Sequence, residues 1–105
     1  MKEITAVELQ RMREEGEAFQ LIDVREPYEA EICTIGGTLI PMGEIVSRLE
    51  ELRKDVPVIV HCRSGARSSA VIQALETRYG LSNLVNLKGG ILAHAKEVDH
   101  TLNCD

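Results

Sequence analysis

The sequence predicts an α/β protein built on a central, mostly parallel five-stranded sheet with helices on both faces. Short apolar runs of strand length alternate with stretches of helical periodicity along the whole chain, and this alternation is typical of parallel sheets. The run at residues 56–61 shows no polar alternation, as expected for a central strand that is covered on both faces. Ligands of such sheets bind at the carboxyl ends of the strands.

The length and composition predict one soluble domain. A chain of 105 residues has the commonest size of a domain, so we expect residues 1–105 to form a single domain that folds without a cofactor. The net charge of -5 argues against a nucleic-acid surface, because phosphate binding needs clustered Lys and Arg. No apolar run approaches the roughly 20 residues of a membrane span. We therefore expect a cytoplasmic protein that binds neither nucleic acid nor membranes.

The first part of the chain predicts two helical segments and two strands. Thr5 and Glu8 match a capping box, so a first helix is expected to begin there and to end near Gly16. Pro27 can open a helical turn, because its fixed φ suits the first helical position. The other elements predicted before residue 41 are a buried strand at residues 20–24, the helical turn at residues 28–32 and a short strand at residues 39–40.

The clearest helical pattern lies in residues 42–52. Apolar side chains recur there at the i, i+3, i+4 and i+7 spacing of an amphipathic helix, and charged side chains occupy the other side. We predict a helix over this stretch with one face in the core. The apolar positions are Met42, Ile45, Val46, Leu49 and Leu52.

Helix and strand alternate again after the central strand. Ser68 or Ser69 can cap a helix that ends at Gly80, the usual glycine stop. A strand at residues 84–87, a turn at Gly89 and Gly90 and a last helix at residues 91–98 are expected to follow. The tail from residue 99 to residue 105 is expected to have little that holds it down.

The three cysteines are Cys33, Cys62 and Cys104. Their irregular spacing contains no C-x-x-C unit and does not look like a disulfide framework, so we expect reduced thiols. Closely spaced Cys and His ligands are lacking as well, so no metal site is expected. The alternative for Cys33 and Cys104 is that either acts as a resolving thiol toward Cys62.

Cys62 lies at the carboxyl end of the central strand, where a loop leads into the next helix. The backbone N–H groups of such a loop and the positive end of the helix dipole meet at one point, which suits an anion or a thiolate. We expect Ser64, Gly65 and Ala66 to supply N–H groups, and Gly65 also allows tight curvature. A thiol in this setting has a lowered pKa; the alternative is a buried, inert thiol. His61 should point to the opposite face and be packed or hydrogen-bonded.

Arg63 and Arg67 make the same loop locally positive. The planar fork of a guanidinium can hold two oxygens of one anion, so both side chains are candidates for binding an anionic substrate. The alternatives are solvated surface charge or a salt bridge to Asp23 or Glu26.

Four segments, taken in order along the chain, resemble the rhodanese-like domains. The resemblance covers nearly the whole chain and is closest to the rhodanese modules found at the C-terminus of enzymes that activate sulfur-carrier proteins. The segments are Asp23-Val24-Arg25-Glu26-Pro27, Ile35-Gly36-Gly37 leading to Ile40-Pro41, Cys62-Arg63-Ser64-Gly65-Ala66-Arg67-Ser68 and Leu87-Lys88-Gly89-Gly90-Ile91.

The resemblance implies a sulfurtransferase. Cys62 stands at the family's catalytic position, where a thiolate takes sulfane sulfur from a donor such as thiosulfate, becomes a persulfide and passes the outer sulfur to a thiophilic acceptor. Arg67 stands at the position that holds the anionic donor, and Arg63 is the weaker candidate for that task. A persulfide-donating or sulfur-carrier protein is the implied partner. The residues expected to brace the loop, rather than to contact substrate, are Asp23, Arg25 and Glu26.

Two alternatives stay open. One is a docking or sulfur-relay module with little activity toward thiosulfate, which receives persulfide sulfur from a protein donor. The other is a cysteine phosphatase of related fold, but those enzymes use a C-x5-R loop, whereas Arg67 falls one position earlier. The tighter loop predicts a preference for sulfur over phosphate.

Overall fold

The computed structural model describes residues 1–104 and contains, within them, a five-stranded sheet in which every paired strand is parallel. The strand order is β1-β5-β4-β2-β3, so the predicted five-stranded α/β sheet is confirmed. The three-residue edge strand β1 was not predicted individually, because it is short and mostly exposed. The strands are β1 (Lys2–Ile4), β2 (Gln20–Asp23), β3 (Thr38–Leu39), β4 (Val58–His61) and β5 (Leu84–Leu87).

Helices cover both faces of this sheet, as predicted. Alternate residues of the central strands enter two separate apolar clusters, Ile22 and Val60 on one face and Leu21 and Ile59 on the other. Every residue of β4 is buried, which explains its continuous apolar run. The helices are α1 (Ala6–Glu14), α2 (Pro27–Ile32), α3 (Ala66–Tyr79) and α4 (Gly90–Glu97).

The predicted helix over residues 42–52 is wrong. This stretch forms two short 3-10 segments, Met42–Glu44 and Val46–Glu51, and Arg48 has non-helical backbone angles. The hydroxyl of Ser47 donates to the carbonyl of Glu44, an alternative to helical pairing that serine commonly takes. Met42 and Val46 stay exposed, so the apolar stripe is only partly covered and gives a regular helix less support from packing.

The start of α3 also differs from the prediction. Its first residue is Ala66, and its N-cap is Gly65 in a left-handed conformation with φ of 101°. Ser68 is therefore not a cap but lies inside the first turn, where its buried side chain faces the Cys62 loop. The predicted end at Gly80 is confirmed, with the expected left-handed C-cap.

The C-terminal tail is tied down, contrary to the prediction. Leu102 and Cys104 pack against the apolar cluster that lies between α1, α4 and the sheet. Cys104 forms a disulfide with Cys33, so the expectation of three reduced thiols is wrong as well. The two cysteines are separated by 71 positions, yet their Cα atoms lie 5.2 Å apart, a proximity that sequence spacing does not reveal. Asp105, the last residue of the predicted tail, lies outside the described residues.

No helix within residues 1–104 is both long and apolar enough to cross a bilayer.

Candidate active site

The loop that follows β4 is hydrogen-bonded to the first turn of the last helix, α4. The carbonyl of Cys62 accepts a hydrogen bond of 3.0 Å from the N–H of Ile91, and the carbonyl of Arg63 accepts one of 3.2 Å from the N–H of Leu92. These N–H groups belong to the first turn of α4, which has no helical partners for them. A Cβ atom at Gly90 would collide with the carbonyl oxygen of Arg63. The glycine at that position is therefore what lets α4 approach the loop.

Cys62 is buried, with 1% of the residue exposed, and backbone N–H groups face its sulfur. Its Sγ lies 3.1 Å from the N of Gly65 and 3.4 Å from the N of Ser68. Burial by itself raises the pKa of the Cys62 thiol, but hydrogen bonds from Ser68, Gly65 and Ser64 outweigh it, so the pKa lies below its ordinary value. The loop thus favours a thiolate at the N-terminus of α3.

The hydroxyl of Ser68 serves mainly to fix the loop. It lies 3.4 Å from the sulfur of Cys62 but only 2.6 Å from Oδ1 of Asn86. The Nδ2 group of Asn86 faces the carboxylate of Glu3 and the carbonyl of Gly65, so its Oδ1 must accept from Ser68. A hydroxyl has one proton to donate. The N–H groups of Gly65 and Ser68 are consequently the main donors to the sulfur.

Arg67 is clamped by a carboxylate on α2. Its two terminal nitrogens each donate to Glu29 at 2.8 Å. The hydrogen bonds from Arg67 lower the pKa of Glu29 to about 2, so this carboxylate is charged at neutral pH. The sequence predicted an anion-binding role for Arg67, with a salt bridge to Asp23 or Glu26 as the alternative; the acidic partner is instead Glu29.

Arg63 points toward the C-terminal tail. Its Nη1 donates to the carbonyl of Cys104 at 3.0 Å, and the contact is exposed. The two arginines of the loop thus contact different segments, Arg67 a carboxylate on α2 and Arg63 the backbone of the tail.

A buried ion pair lies at the carboxyl end of β2, where Asp23 pairs in the sheet with His61, the residue before Cys62. Arg25 and Asp23 are 2% and 1% exposed and are joined by three hydrogen bonds between the guanidinium and the carboxylate, the shortest 2.7 Å. Arg25 also donates to the carbonyls of Cys33 and Glu29, which links β2 to both ends of α2. A buried charged pair of this kind is sustained only by such additional hydrogen bonds.

His61 lies behind the loop rather than beside the sulfur. It is fully buried, with Nδ1 3.4 Å from the carbonyl of Cys62 and Nε2 3.9 Å from a carboxylate oxygen of Asp23. Burial lowers the pKa of His61, so the ring is neutral at pH 7. Within residues 1–104, no cluster of three His, Cys, Asp or Glu side chains is arranged to hold a metal ion.

The predicted site residues are thus only partly brought together. The loop from Cys62 to Arg67 forms one cradle, and Asp23 lies at the end of the strand that pairs with β4, where it is bound to Arg25. Glu26 is exposed and lies just before α2, where its backbone N–H donates to the carboxylate of Glu29 and its carbonyl accepts from the N–H of Glu29. Ala66 is exposed as the first residue of α3. Glu29 and Asn86 contact this part of the structure but were not predicted for the site. Ser68 was predicted only as a possible helix cap, whereas its hydroxyl binds Asn86 and lies near the sulfur of Cys62.

Comparison with known proteins relates most of the chain to one family. The family described as "Rhodanese-like domain" matches residues 5–97. The chain is 39% identical over 98 residues to the probable adenylyltransferase/sulfurtransferase MoeZ of Mycobacterium tuberculosis. The aligned region covers 90% of the chain but 25% of MoeZ. The chain therefore spans about a quarter of the length of these relatives.

Relatives of similar length are also found. The chain is 37% identical over 98 residues to a protein named sulfurtransferase from Allochromatium vinosum, with 91% of the chain and 90% of that protein covered. A crystal structure of a rhodanese-like domain protein from Staphylococcus aureus is 32% identical and has a TM-score of 0.83, with 100% of the chain and 99% of that chain covered.

Proposed function

The chain belongs to the rhodanese-like domain family, and we propose that it is a sulfurtransferase that carries sulfane sulfur on Cys62. Relatives of matching length that are named as sulfurtransferases support sulfur transfer as the general chemistry. The observation that carries the proposal is the cradle of N–H groups around a buried sulfur whose pKa is lowered. We propose further that residues 1–105 act as one domain, in the cytoplasm and without a cofactor.

The reaction has two steps in this proposal. The Cys62 thiolate attacks the outer sulfur of thiosulfate, the sulfur–sulfur bond of the donor breaks, and sulfite leaves with the bonding electron pair. The persulfide on Cys62 is then attacked at its outer sulfur by a thiophilic acceptor such as cyanide. The sulfur–sulfur bond of the persulfide breaks, and the thiolate of Cys62 is restored. No net change in the oxidation state of Cys62 occurs over the cycle.

The loop supports each step through its backbone. The N–H groups of Gly65 and Ser68 stabilise the negative charge on the sulfur of Cys62 before attack and after product release. We propose that the backbone of Ser64, Gly65 and Ala66 faces the outer sulfur of the persulfide. Because these donors are part of a loop fixed by α4 and Asn86, they need no reorganisation during the reaction.

The arginines are proposed to attract the anionic donor. Arg67 is the first candidate and Arg63 the second, while Asp23, Arg25 and Glu26 hold the loop in place. Glu29 occupies both terminal nitrogens of Arg67, so a dianion such as thiosulfate has to compete with a carboxylate. That contact favours the second candidate function, a sulfur-relay module whose donor is a persulfide on a partner protein or a sulfur-carrier protein.

Sulfur-transfer kinetics with two donors test the proposal. Thiosulfate and glutathione persulfide are compared as donors, with cyanide as acceptor and thiocyanate as the product measured. After the uncatalysed reaction of each donor with cyanide is subtracted, we expect turnover by the wild-type protein and by the control variant Ser69→Ala, and none by Cys62→Ser. Thiocyanate formation by Cys62→Ser at the wild-type rate would overturn the proposal, and a persulfide-only activity would favour the relay module.

The same preparations are tested against a phosphomonoester. The loop from Cys62 to Arg67 is one residue shorter than C-x5-R, so we expect no hydrolysis of para-nitrophenyl phosphate. Hydrolysis that is lost in Cys62→Ser would instead assign the loop to phosphate chemistry.

A further inference from the structure

Glu29 is the acidic side chain that meets the guanidinium of Arg67 beside the Cys62 loop. The two terminal nitrogens of Arg67 donate to the two carboxylate oxygens at 2.8 Å each, which is the strong, paired form of an arginine–carboxylate contact. Hydrogen bonds to Glu29 raise the pKa of Arg67 most, and the negative charge of Cys62 contributes to the rise. Arg67 therefore lies close enough to the reactive sulfur for the charge of Cys62 to act on it.

The carboxylate of Glu29 is held in place by its own helix. It accepts a hydrogen bond of 2.9 Å from the backbone N–H of Glu26, the N-cap of α2. The backbone carbonyl of Glu29 accepts from the N–H of Cys33 and from the guanidinium of Arg25. The side chain of Glu29 is 14% exposed, against 35% for Arg67. An anion that approaches Arg67 therefore meets a carboxylate that is anchored and largely covered.

The pair presents a positive and a negative charge to an approaching donor. A guanidinium has five N–H groups, and the contact with Glu29 uses two of them, so Arg67 can donate to a further acceptor. That acceptor lies beside a carboxylate that stays ionised at neutral pH, because hydrogen bonds from Arg67 lower the pKa of Glu29 to about 2. Coulomb repulsion is proportional to the charge of the acceptor. The repulsion that Glu29 contributes is therefore twice as large for a dianion as for a monoanion.

We infer that Glu29 selects the sulfur donor by its charge, so that Cys62 takes sulfur more readily from donors with one negative charge or none than from the dianion thiosulfate. This inference rests on the proposed function of Cys62. A persulfide group carries at most one negative charge, on its terminal sulfur, and is the class of donor that such a site favours. Glu29 is thus a specificity-determining residue, and it takes no part in the chemistry at the sulfur.

Two donors of similar size separate charge from other properties. Thiosulfate carries two negative charges, whereas methanethiosulfonate, in which a methyl group replaces one oxygen, carries one. In both reactions the Cys62 thiolate attacks the terminal sulfur, and the sulfur–sulfur bond of the donor breaks. Sulfite leaves in one case and methanesulfinate in the other, each with the bonding electron pair. The same persulfide forms on Cys62, so the two reactions differ in how the donor is received.

The variant Glu29→Gln removes the charge at nearly constant size. We expect kcat/KM for thiosulfate to rise on the order of tenfold, the effect of one hydrogen bond to a charged group. Half of that free energy, and hence a rise of about threefold, is expected for methanethiosulfonate. Glu31→Gln removes the same charge from an exposed position of α2 and should change neither value. Glu29→Asp keeps the charge and should leave the ratio of the two values close to that of the wild-type protein.

Donor kinetics give the first test. Thiocyanate formation is measured at limiting donor, the uncatalysed reaction with cyanide is subtracted, and thermal unfolding checks that each variant is folded. A thiosulfate-to-methanethiosulfonate ratio of kcat/KM that rises about threefold in Glu29→Gln alone would support the inference. An equal change for both donors, or the same shift of the ratio in Glu31→Gln or Glu29→Asp, would overturn it.

Inert analogues give a second test that needs no sulfur transfer. Sulfate and methanesulfonate are compared, at constant ionic strength, for their protection of Cys62 against iodoacetamide. In the wild-type protein sulfate should protect no better than methanesulfonate, and in Glu29→Gln sulfate should protect at a concentration about tenfold lower. Better protection by sulfate in the wild-type protein, or protection that is unchanged in Glu29→Gln, would overturn the inference. If neither donor gives a product that depends on Cys62, the proposed function fails, whereas protection still decides whether Glu29 sorts anions by charge.

Discussion

The substitution Ser68→Ala separates the two tasks that a hydroxyl beside Cys62 could have. The hydroxyl is nearer to Oδ1 of Asn86, at 2.6 Å, than to the sulfur, at 3.4 Å. Both side chains are buried. Removing the hydroxyl therefore leaves the Asn86 oxygen without its donor, while the N–H groups of Gly65 and Ser68 still reach the sulfur. We expect a large loss of stability and a small change in the reactivity of the thiol.

The size of the loss follows from burial. An unsatisfied buried acceptor costs about 1–3 kcal/mol. For a domain of this length, each kcal/mol lowers Tm by about 4–8 °C, so Ser68→Ala should lower Tm by roughly 5–20 °C. Ser69→Ala is the matched control, one position along the same helix, and should change Tm little.

Two assays are needed for this prediction. Thermal unfolding followed by circular dichroism gives Tm, and the pH dependence of Cys62 alkylation gives the pKa of the thiol. In Ser68→Ala the pKa should stay below that of an ordinary thiol. The reasoning would be refuted by the opposite pattern, an unchanged Tm together with a thiol whose alkylation resembles that of free cysteine.

Three further predictions concern the groups around the loop. Arg25→Met should destabilise the protein by about 3–5 kcal/mol in urea unfolding, because it leaves a buried carboxylate unpaired, whereas Arg53→Met, at an exposed pair, should cost less than about 1 kcal/mol. Gly90→Ala should lower both Tm and the reactivity of the Cys62 thiol, because residue 90 has a positive φ and an added Cβ would collide with the backbone of the loop. Gly43→Ala is the control and should change neither, because nothing lies within 4 Å of its added Cβ. The pKa of Glu29 is lowered from 4.5 to about 2. The contribution of the Glu29 carboxylate to stability is therefore complete above about pH 4.5 and is lost as the pH falls toward 2. Glu29→Gln should flatten the stability profile over this pH range, and an unchanged profile would contradict the assignment.

The sheet could be predicted because each central strand carries its own local pattern. β4 is buried on both faces and reads as an unbroken apolar run, and α1 and α3 carry their own start or stop residues. The stretch over residues 42–52 shows the limit of such patterns, because apolar spacing says where a helix can form but not whether its face will be covered. β1 is held by pairing with β5, a partner more than 80 positions away.

The candidate site was predictable where it is contiguous in sequence. The residues from Cys62 to Arg67 form one loop, so their order alone predicts a cradle of N–H groups. Glu29 and Asn86 reach this loop from separate segments, 38 positions from Arg67 and 18 from Ser68, and no local pattern marks such contacts. The disulfide was missed for the same reason, since its cysteines are 71 positions apart.

The claim that Cys62 carries the transferred sulfur is tested most directly by intact mass spectrometry after incubation with thiosulfate and desalting. We predict one added sulfur atom per chain, located on the peptide that contains Cys62, lost on addition of cyanide and absent from Cys62→Ser. No adduct with thiosulfate or with a persulfide donor, or an adduct that persists in Cys62→Ser, would contradict the account.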